Sequence, residues 1–254
     1  MPDNERASVL PPSDALSAAI DAARQSPSKR EHWEELEELV EGAQRPSDVR
    51  ALFRDVLRAG DLTPAVASDV GQRAVRFYEA WYGDEATELA ELLARVLERD
   101  HNAEWAFERL TVTLTGAERW TDLLAAYDVQ IGRETSTIRR IKLLDDAAQL
   151  AKDFAGQPDR AIGYMTQLFV LEPDNSALAS ALERLLERQS RWADLIELWR
   201  TRSASQPARQ KRDTQLRMAS CYLDALREPA ASLRELELVL HDSPDYKPAL
   251  DLAE

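Results

Sequence analysis

The sequence predicts an all-α protein, a right-handed solenoid of antiparallel helical hairpins, on three observations. Tryptophan returns with the same neighbours. His32-Trp33-Glu34-Glu35-Leu36, Arg119-Trp120-Thr121-Asp122-Leu123 and Arg191-Trp192-Ala193-Asp194-Leu195 each read Trp, any residue, an acid, Leu. A repeated local sequence means a repeated supersecondary unit, and such units stack in series rather than wrap one central core. Next, the 254 residues hold only 8 glycines and are rich in Ala, Leu, Glu and Arg, side chains that lose little rotamer freedom in a helix. Finally, no run alternates β-branched residues and no Asn-Gly or Asp-Gly pair marks a hairpin, so no strand is expected.

The elements follow in order. Residues 1–12 are polar, end in Pro11-Pro12 and read as a disordered tail. Ser13 is placed to cap a helix over 14–25, and a second runs over 31–42. The stretch from Leu36 to Ala86 is too long for one helix pair and too short for two. An extra helix over 48–59, capped by Ser47, fills the gap, which makes 13–64 an atypical N-terminal cap. Thr63 caps 65–82. Helices then cover 85–99, 103–114, 119–131, 137–155, 159–171, 176–189 (capped by Asp174), 192–203, 209–226 and 230–241. Leu178, Ala181, Leu182 and Leu185 have the spacing of a helix that buries one face. Pro248 to Glu254 starts like a further helix, so the repeats of 65–254 are expected to be open or truncated at the C-terminus, as in a fragment of a longer array.

The register comes from a few positions. Ala161, Met165 and Leu168 are followed by Pro173, and in the next unit Leu195, Trp199 and Pro207 take the places of Ala161, Met165 and Pro173. Earlier anchors are Leu123 (with Tyr127), Ala86 and Leu36, and a later one is Ser232, with Leu236 and Pro244. Just before four of these anchors stand Trp120, Pro158, Trp192 and Pro229, so Trp and Pro alternate from unit to unit. The repeat is therefore a double unit of two helix pairs. A proline at the first helical position costs no hydrogen bond and pre-sets φ. Pro173, Pro207 and Pro244 end helices and turn the chain.

The small, bulky, apolar and proline positions of 161–173, and the distance from Ala161 to Leu195, resemble the tetratricopeptide repeat, across roughly residues 65–250. The double unit is also similar to long bacterial arrays in scaffold and gliding-motility assemblies. The resemblance implies a superhelix whose first helices line a concave groove that binds peptides. Carried onto this chain, the groove positions are Leu143, Asp146, Leu150 and Asp153, then Ala177, Ser180, Arg184 and Glu187, then Thr214, Arg217, Cys221 and Asp224. Asn and Lys are absent from these positions, which argues against the carboxylate clamp of chaperone-binding members.

The charge of −14 disfavours nucleic acid. A single cysteine, Cys221, cannot form an internal disulfide. No apolar stretch approaches a membrane span or a signal peptide's core, so the expectation is a cytoplasmic protein without membrane insertion. His32, His101 and His241 fall at helix ends with no metal-ligand spacing. No nucleophile elbow, phosphate loop or dinucleotide fingerprint occurs. The expectation is no enzyme, no metal and no cofactor, and the acid pair Asp145-Asp146 reads as chance in a chain with 46 acids.

Three surface features remain. Six glutamates and no Lys or Arg between 31 and 41 read as a solvated face, or as a dock for a basic segment. Arg139-Arg140 and Lys211-Arg212 recur one double unit apart, with the spacing of Trp120 and Trp192, and are candidates for a repeated basic patch that takes an acidic peptide. Phe77, Tyr78, Trp81, Tyr82 and Trp105 are expected to pack between helices. The function expected is a scaffold that binds a peptide or partner protein. The alternatives are end-to-end self-association as part of a larger assembly and, remotely, an enzyme with a site between helices.

Overall fold

The computed structural model describes residues 12–59, 61–83, 86–204 and 206–254; the side chains of residues 12, 13 and 86 are also outside the described set. Residues 1–11 of the expected tail and the side chain of the expected cap Ser13 lie outside the described residues, and Pro12 begins the first helix. Among the described residues there are fourteen α-helices and no strand. They are α1 (Pro12–Gln25), α2 (Arg30–Ala43), α3 (Pro46–Arg58), α4 (Pro64–Trp81), α5 (Ala86–Arg99), α6 (Glu104–Gly116) and α7 (Trp120–Arg133), then α8 (Thr137–Asp153), α9 (Pro158–Leu171), α10 (Ser176–Arg188), α11 (Trp192–Ser203), α12 (Ala208–Cys221), α13 (Pro229–Asp242) and α14 (Lys247–Ala253). A single π-helical turn, Tyr222–Leu226, extends α12.

The helices form two compact units, Met1–Arg133 and Glu134–Glu254. The expected boundary at 64/65 falls inside the first. Within each unit packing is serial: nearly every helix packs on the next along the chain, and α3 also touches α1 and α5. Ion pairs join alternate helices. In the first unit Arg73 of α4 reaches Glu37 of α2 at 2.8 Å, and Arg109 of α6 reaches Glu79 of α4 at 2.7 Å. In the second, Arg191, just before α11, meets Asp159 of α9 at 2.8 Å, and Arg217 of α12 lies 3.5 Å from Glu183 of α10. Each unit is a stack of helical hairpins, with alternate helices in one row.

The register positions are core positions. The anchors Leu36, Leu123, Ala161, Leu195 and Ser232 are buried, as are Tyr127, Met165, Trp199 and Leu236 one helical turn after them (Ala86 has no described side chain). Pro158 and Pro229 occupy the first turns of α9 and α13, and the turns before them match. Gly156 and Arg227 are both left-handed. The Gln157 amide donates to the Ala151 carbonyl, and the Glu228 amide to that of Tyr222, both at 2.8 Å. Trp120 and Trp192 likewise open α7 and α11 in like surroundings. Before each comes a left-handed residue, Glu118 or Ser190. The next amide, Arg119 or Arg191, donates at 2.9 Å to the carbonyl of Leu114 or Leu186. The acid of the motif also has a role. Asp122 accepts from Arg119 at 2.7 Å and Asp194 from Arg191 at 2.6 Å, which ties the first turn of each helix to the residue before it.

The third copy differs. Trp33 lies inside α2 rather than at its first position. It is fully buried, donates from Nε1 to the Pro27 carbonyl at 2.9 Å, and stacks on Phe53 of α3 at 5.3 Å between centroids. Two expected caps also move. Pro46 opens α3 in place of a Ser47 cap, and Asn175, not Asp174, caps α10 by accepting from the Leu178 amide at 3.0 Å. Thr63 caps α4.

Candidate functional site

The second unit holds an open groove of about 660 Å³. Its walls are α8, through Ile138, Ile141, Lys142, Asp145, Gln149, Lys152 and Asp153, and α10, through Ala177, Leu178 and Ala181. Met165 and Leu168 of α9 form the floor. The sequence builds this locally. Pro158 sets the start of α9, and Ala147, Ala148 and Ala151 on α8 and Ala161 on α9 let the two helices pack closely. Two of the three α10 residues on that wall, Ala177 and Ala181, are alanines, which keeps the groove open. Ile138 is 82% exposed at its mouth, beside Ile141 and Leu178. Charge gathers on the rim: Lys152 pairs with Asp153 at 3.4 Å, and Glu172 accepts from the Asn175 side-chain amide at 3.0 Å.

Of the groove positions carried from the family, Asp153 and Ala177 line this groove. On α8 the lining otherwise falls one step earlier than the expectation: Asp145 takes the place of Asp146, and Gln149 that of Leu150. Asp146 and Leu150 are half-buried beside it. Burial raises the Asp146 carboxyl above its ordinary value, with Lys142 acting against and Asp145 adding to the shift. Ser180 donates to the Ser176 carbonyl at 2.9 Å, and Arg184 is exposed.

The remaining expected positions meet on α10 and α12. The Arg217 guanidinium lies 4.3 Å over the Trp199 ring, 3.5 Å from Glu183 and 3.8 Å from Glu187. Glu183 also pairs with Arg202. Burial raises the Cys221 thiol, and the charges of Asp224 and Glu187 add to that shift. A cation held over an indole between two carboxylates is a polar face that is already internally matched. Sequence reasoning reaches Arg217, Glu187 and Asp224 but not Glu183 and Arg202, and it places Trp199 only as a core position.

The basic pairs come out differently from their spacing. Aligning the starts of the helices that carry them, Thr137 of α8 and Ala208 of α12, sets Arg140 against Lys211 and Arg139 against Gln210. The pairs are thus one position out of step with their helices. Arg139 and Lys211 are exposed, while Arg212 stacks on Tyr246 at 4.2 Å and donates to Ser243 at 3.2 Å. Arg212 is committed to the packing just before α14.

In the first unit the aromatic residues form a chain of rings. Trp33 meets Phe53, Phe53 meets Phe77 at 5.5 Å, and Phe77 meets Tyr82 at 6.0 Å. Trp105 donates to Ser68 at 2.9 Å. Arg50 sits over Tyr82 at 4.7 Å and pairs with Glu88. Burial alone would push the Glu88 carboxyl up, but Arg50 and Tyr78 hold it below its usual value, and burial pushes Tyr78 above its own. This network joins α3, α4 and α5. Nearby, a cavity of about 320 Å³ is lined by Arg54, Arg58 and Arg95 against Glu88, Glu91 and Glu98, which cancel in charge. Among the described residues no three His, Cys, Asp or Glu side chains are grouped to hold a metal ion, and no helix is long and apolar enough to cross a membrane.

No family model matches the chain, and no curated protein does. Solved structures similar to it are tetratricopeptide-repeat proteins in several cases. One is YrrB, described as a TPR protein with an unusual peptide-binding site: 12% identity over 78% of this chain and 96% of that one, TM-score 0.34. Another is the C-terminal part of a TPR repeat-containing protein from Cytophaga hutchinsonii, at 11% identity over 95% and 96%, TM-score 0.35. PilF of Pseudomonas aeruginosa matches at 11% identity over 93% and 97%, TM-score 0.32.

Proposed function

We propose that the chain is a protein-binding scaffold whose second unit takes a peptide segment of another protein in the α8–α10 groove. The carrying observation is the groove itself: an apolar floor and mouth with a charged rim on a preformed helical frame, so that binding orders little of the scaffold. Apolar side chains of the peptide settle against Ile138, Ile141, Leu178 and Leu168, and Lys142, Asp145 and Gln149 select its polar neighbours. The peptide continues over α10 and α12 past Ser180, Arg184, Glu187, Arg217 and Asp224, with Asp146 and Leu150 beside its path. Arg139 and Arg140, in the first turn of α8, favour an acidic residue near the mouth. A cytoplasmic setting fits the single half-buried cysteine. The reading is of a binder rather than an enzyme: among the described residues, the two carboxyl groups with shifted titration, Glu88 and Asp146, belong to different units.

The test is selection of short peptides from a random displayed library on the whole chain. Ile138→Asp and Ile141→Asp are expected to weaken the selected peptides about tenfold or more, as loss of a central apolar anchor does. Val170→Asp, in the separate cleft between α9 and α11, leaves them unchanged. Peptides that bind both groove variants as tightly as the wild type overturn the proposal.

A further inference from the structure

The second unit has another cleft, of about 410 Å³, between α9 and α11 with α10 beneath. Ile162 and Phe169 of α9, Leu182 and Leu186 of α10 and Leu198 of α11 form its apolar bed, and all five are buried. Val170 stands at the rim, 74% exposed. Gly163 and Thr166 are exposed on the α9 wall, and a Cβ on Gly163 would meet nothing. The α11 wall carries Asp194 and Glu197. The next step of the same row shows how the chain itself completes such a place. With Leu195 set on Ala161, Glu197 and Arg200 of α11 take the places of Gly163 and Thr166. With Ser232 set on Leu195, Glu235 of α13 takes the place of Leu198. There Arg200 pairs with Glu197, lies 3.4 Å from Glu235 and donates to the Tyr222 hydroxyl at 3.0 Å. An arginine side chain thus spans the α11–α13 step from within. At the α9–α11 step the same three places hold glycine, threonine and leucine, which leave the space open.

We propose that this cleft takes an arginine-bearing segment of a partner protein, with an apolar residue beside the arginine. Charge and surface choose the occupant. Arg191 is shared by Asp159 and Asp194, at 2.8 and 2.6 Å, and Arg200 is shared by Glu197 and Glu235. Four carboxylates therefore meet two guanidinium groups along α11, and the excess negative charge favours an incoming cation. The partner's guanidinium settles at Asp194 and Glu197, which lie one turn apart on α11. Its planar fork can engage both carboxylates, which the point charge of a lysine cannot do as well. The apolar neighbour covers Val170, Phe169 and Leu198. This site differs from the α8–α10 groove in place and in charge, since that groove favours an acidic residue at its mouth and this cleft a basic one. Two anchoring side chains make a small contact, so a short peptide is expected to bind with a dissociation constant on the order of 100 μM.

Selection from a random displayed peptide library tests this. The target is the whole chain carrying Ile138→Asp and Ile141→Asp, so that the α8–α10 groove does not dominate the selection. Arginine next to an apolar residue is expected to be enriched, and fluorescence anisotropy of the synthetic peptides reads their affinities. Gly163→Glu together with Thr166→Arg copies Glu197 and Arg200 onto α9 and fills the cleft from within. Both positions are exposed, so helix content and melting temperature are expected to hold while binding falls at least tenfold. Glu197→Gln is expected to weaken an arginine peptide severalfold and to leave its arginine-to-glutamine version unchanged, the mark of a direct pair. The selected peptides are expected to bind the chain with native Ile138 and Ile141 equally, which separates this site from the peptide groove. Selected peptides that are acidic or purely apolar overturn the proposal. So does binding indifferent to the filled variant, or a selection that yields no peptide at all.

Discussion

Gly71 and Gly163 are both interior helix glycines, and the structure gives them opposite futures. A Cβ on Gly71 of α4 would lie 2.5 Å from Cγ2 of Val96 and 3.2 Å from the Trp105 ring. Val96 is fully buried and β-branched, so it cannot swing aside within its preferred rotamers. The missing side chain is what lets α4 approach α5 and α6. Around Gly163 of α9 a Cβ meets nothing. Gly71→Ala is therefore expected to cost about 1–3 kcal/mol through overpacking, more than the helix propensity it gains. Gly163→Ala is expected to stabilise by about 0.5–1 kcal/mol, the propensity alone. Denaturant melts of both variants check this, and a stabilised Gly71→Ala would show that the close approach is not a constraint. Sequence reasoning does not reach Gly71. A lone glycine amid helix formers in a glycine-poor chain is the available signal, but its partners Val96 and Trp105 lie on two later helices, far along the chain.

At the level of elements, the same tryptophan motif has two structural meanings, and a measurement can separate them. Trp120 and Trp192 are half-buried at the first positions of their helices, anchored by the Arg–Asp pair around them. Trp33 is inside its helix, fully buried, hydrogen-bonded and stacked. Trp33→Ala is expected to cost about 3–5 kcal/mol, the range for a core aromatic. Trp192→Ala should cost about 1–2 kcal/mol, since only part of the ring leaves water. Equal losses in urea melts would return all three to one class. This contrast shows what sequence can supply. Helix ends are readable to within a few residues because Pro, Asn and left-handed turn residues act through the local backbone. Burial of the anchors is readable because hairpin packing repeats at fixed spacing. The groove lining is not, because one residue is about 100° around a helix. The choice between Asp145 and Asp146 then depends on how α8 sits against α10. The basic pairs show a similar sensitivity, since their spacing differs by one step from that of the helices carrying them.

Over the whole molecule, the consequence of serial packing is that damage stays local. Helices meet their neighbours along the chain, and some a second helix in the same row, so stability is approximately a series of nearest-neighbour contributions rather than one shared core. Leu182 of α10 tests this. It is fully buried, and Leu182→Ala leaves a cavity worth about 2–5 kcal/mol. In a single cooperative core that loss would lower every slowly exchanging amide equally, because all of them exchange through the same global opening. In this chain the loss is expected to speed exchange in α9, α10, α11 and α12 while α1 to α3, in the first unit, keep their protection. Hydrogen exchange followed by mass spectrometry on peptides from each helix reads this directly. The pattern also bears on the proposed function, since a partner held in the preformed groove of the second unit would leave the protection of α1 to α3 unchanged. Exchange that rises by the same factor from α1 to α14 would mean that the two compact units fold as one, and the description of this chain as stacked hairpins would have to be replaced by that of a single cooperative domain.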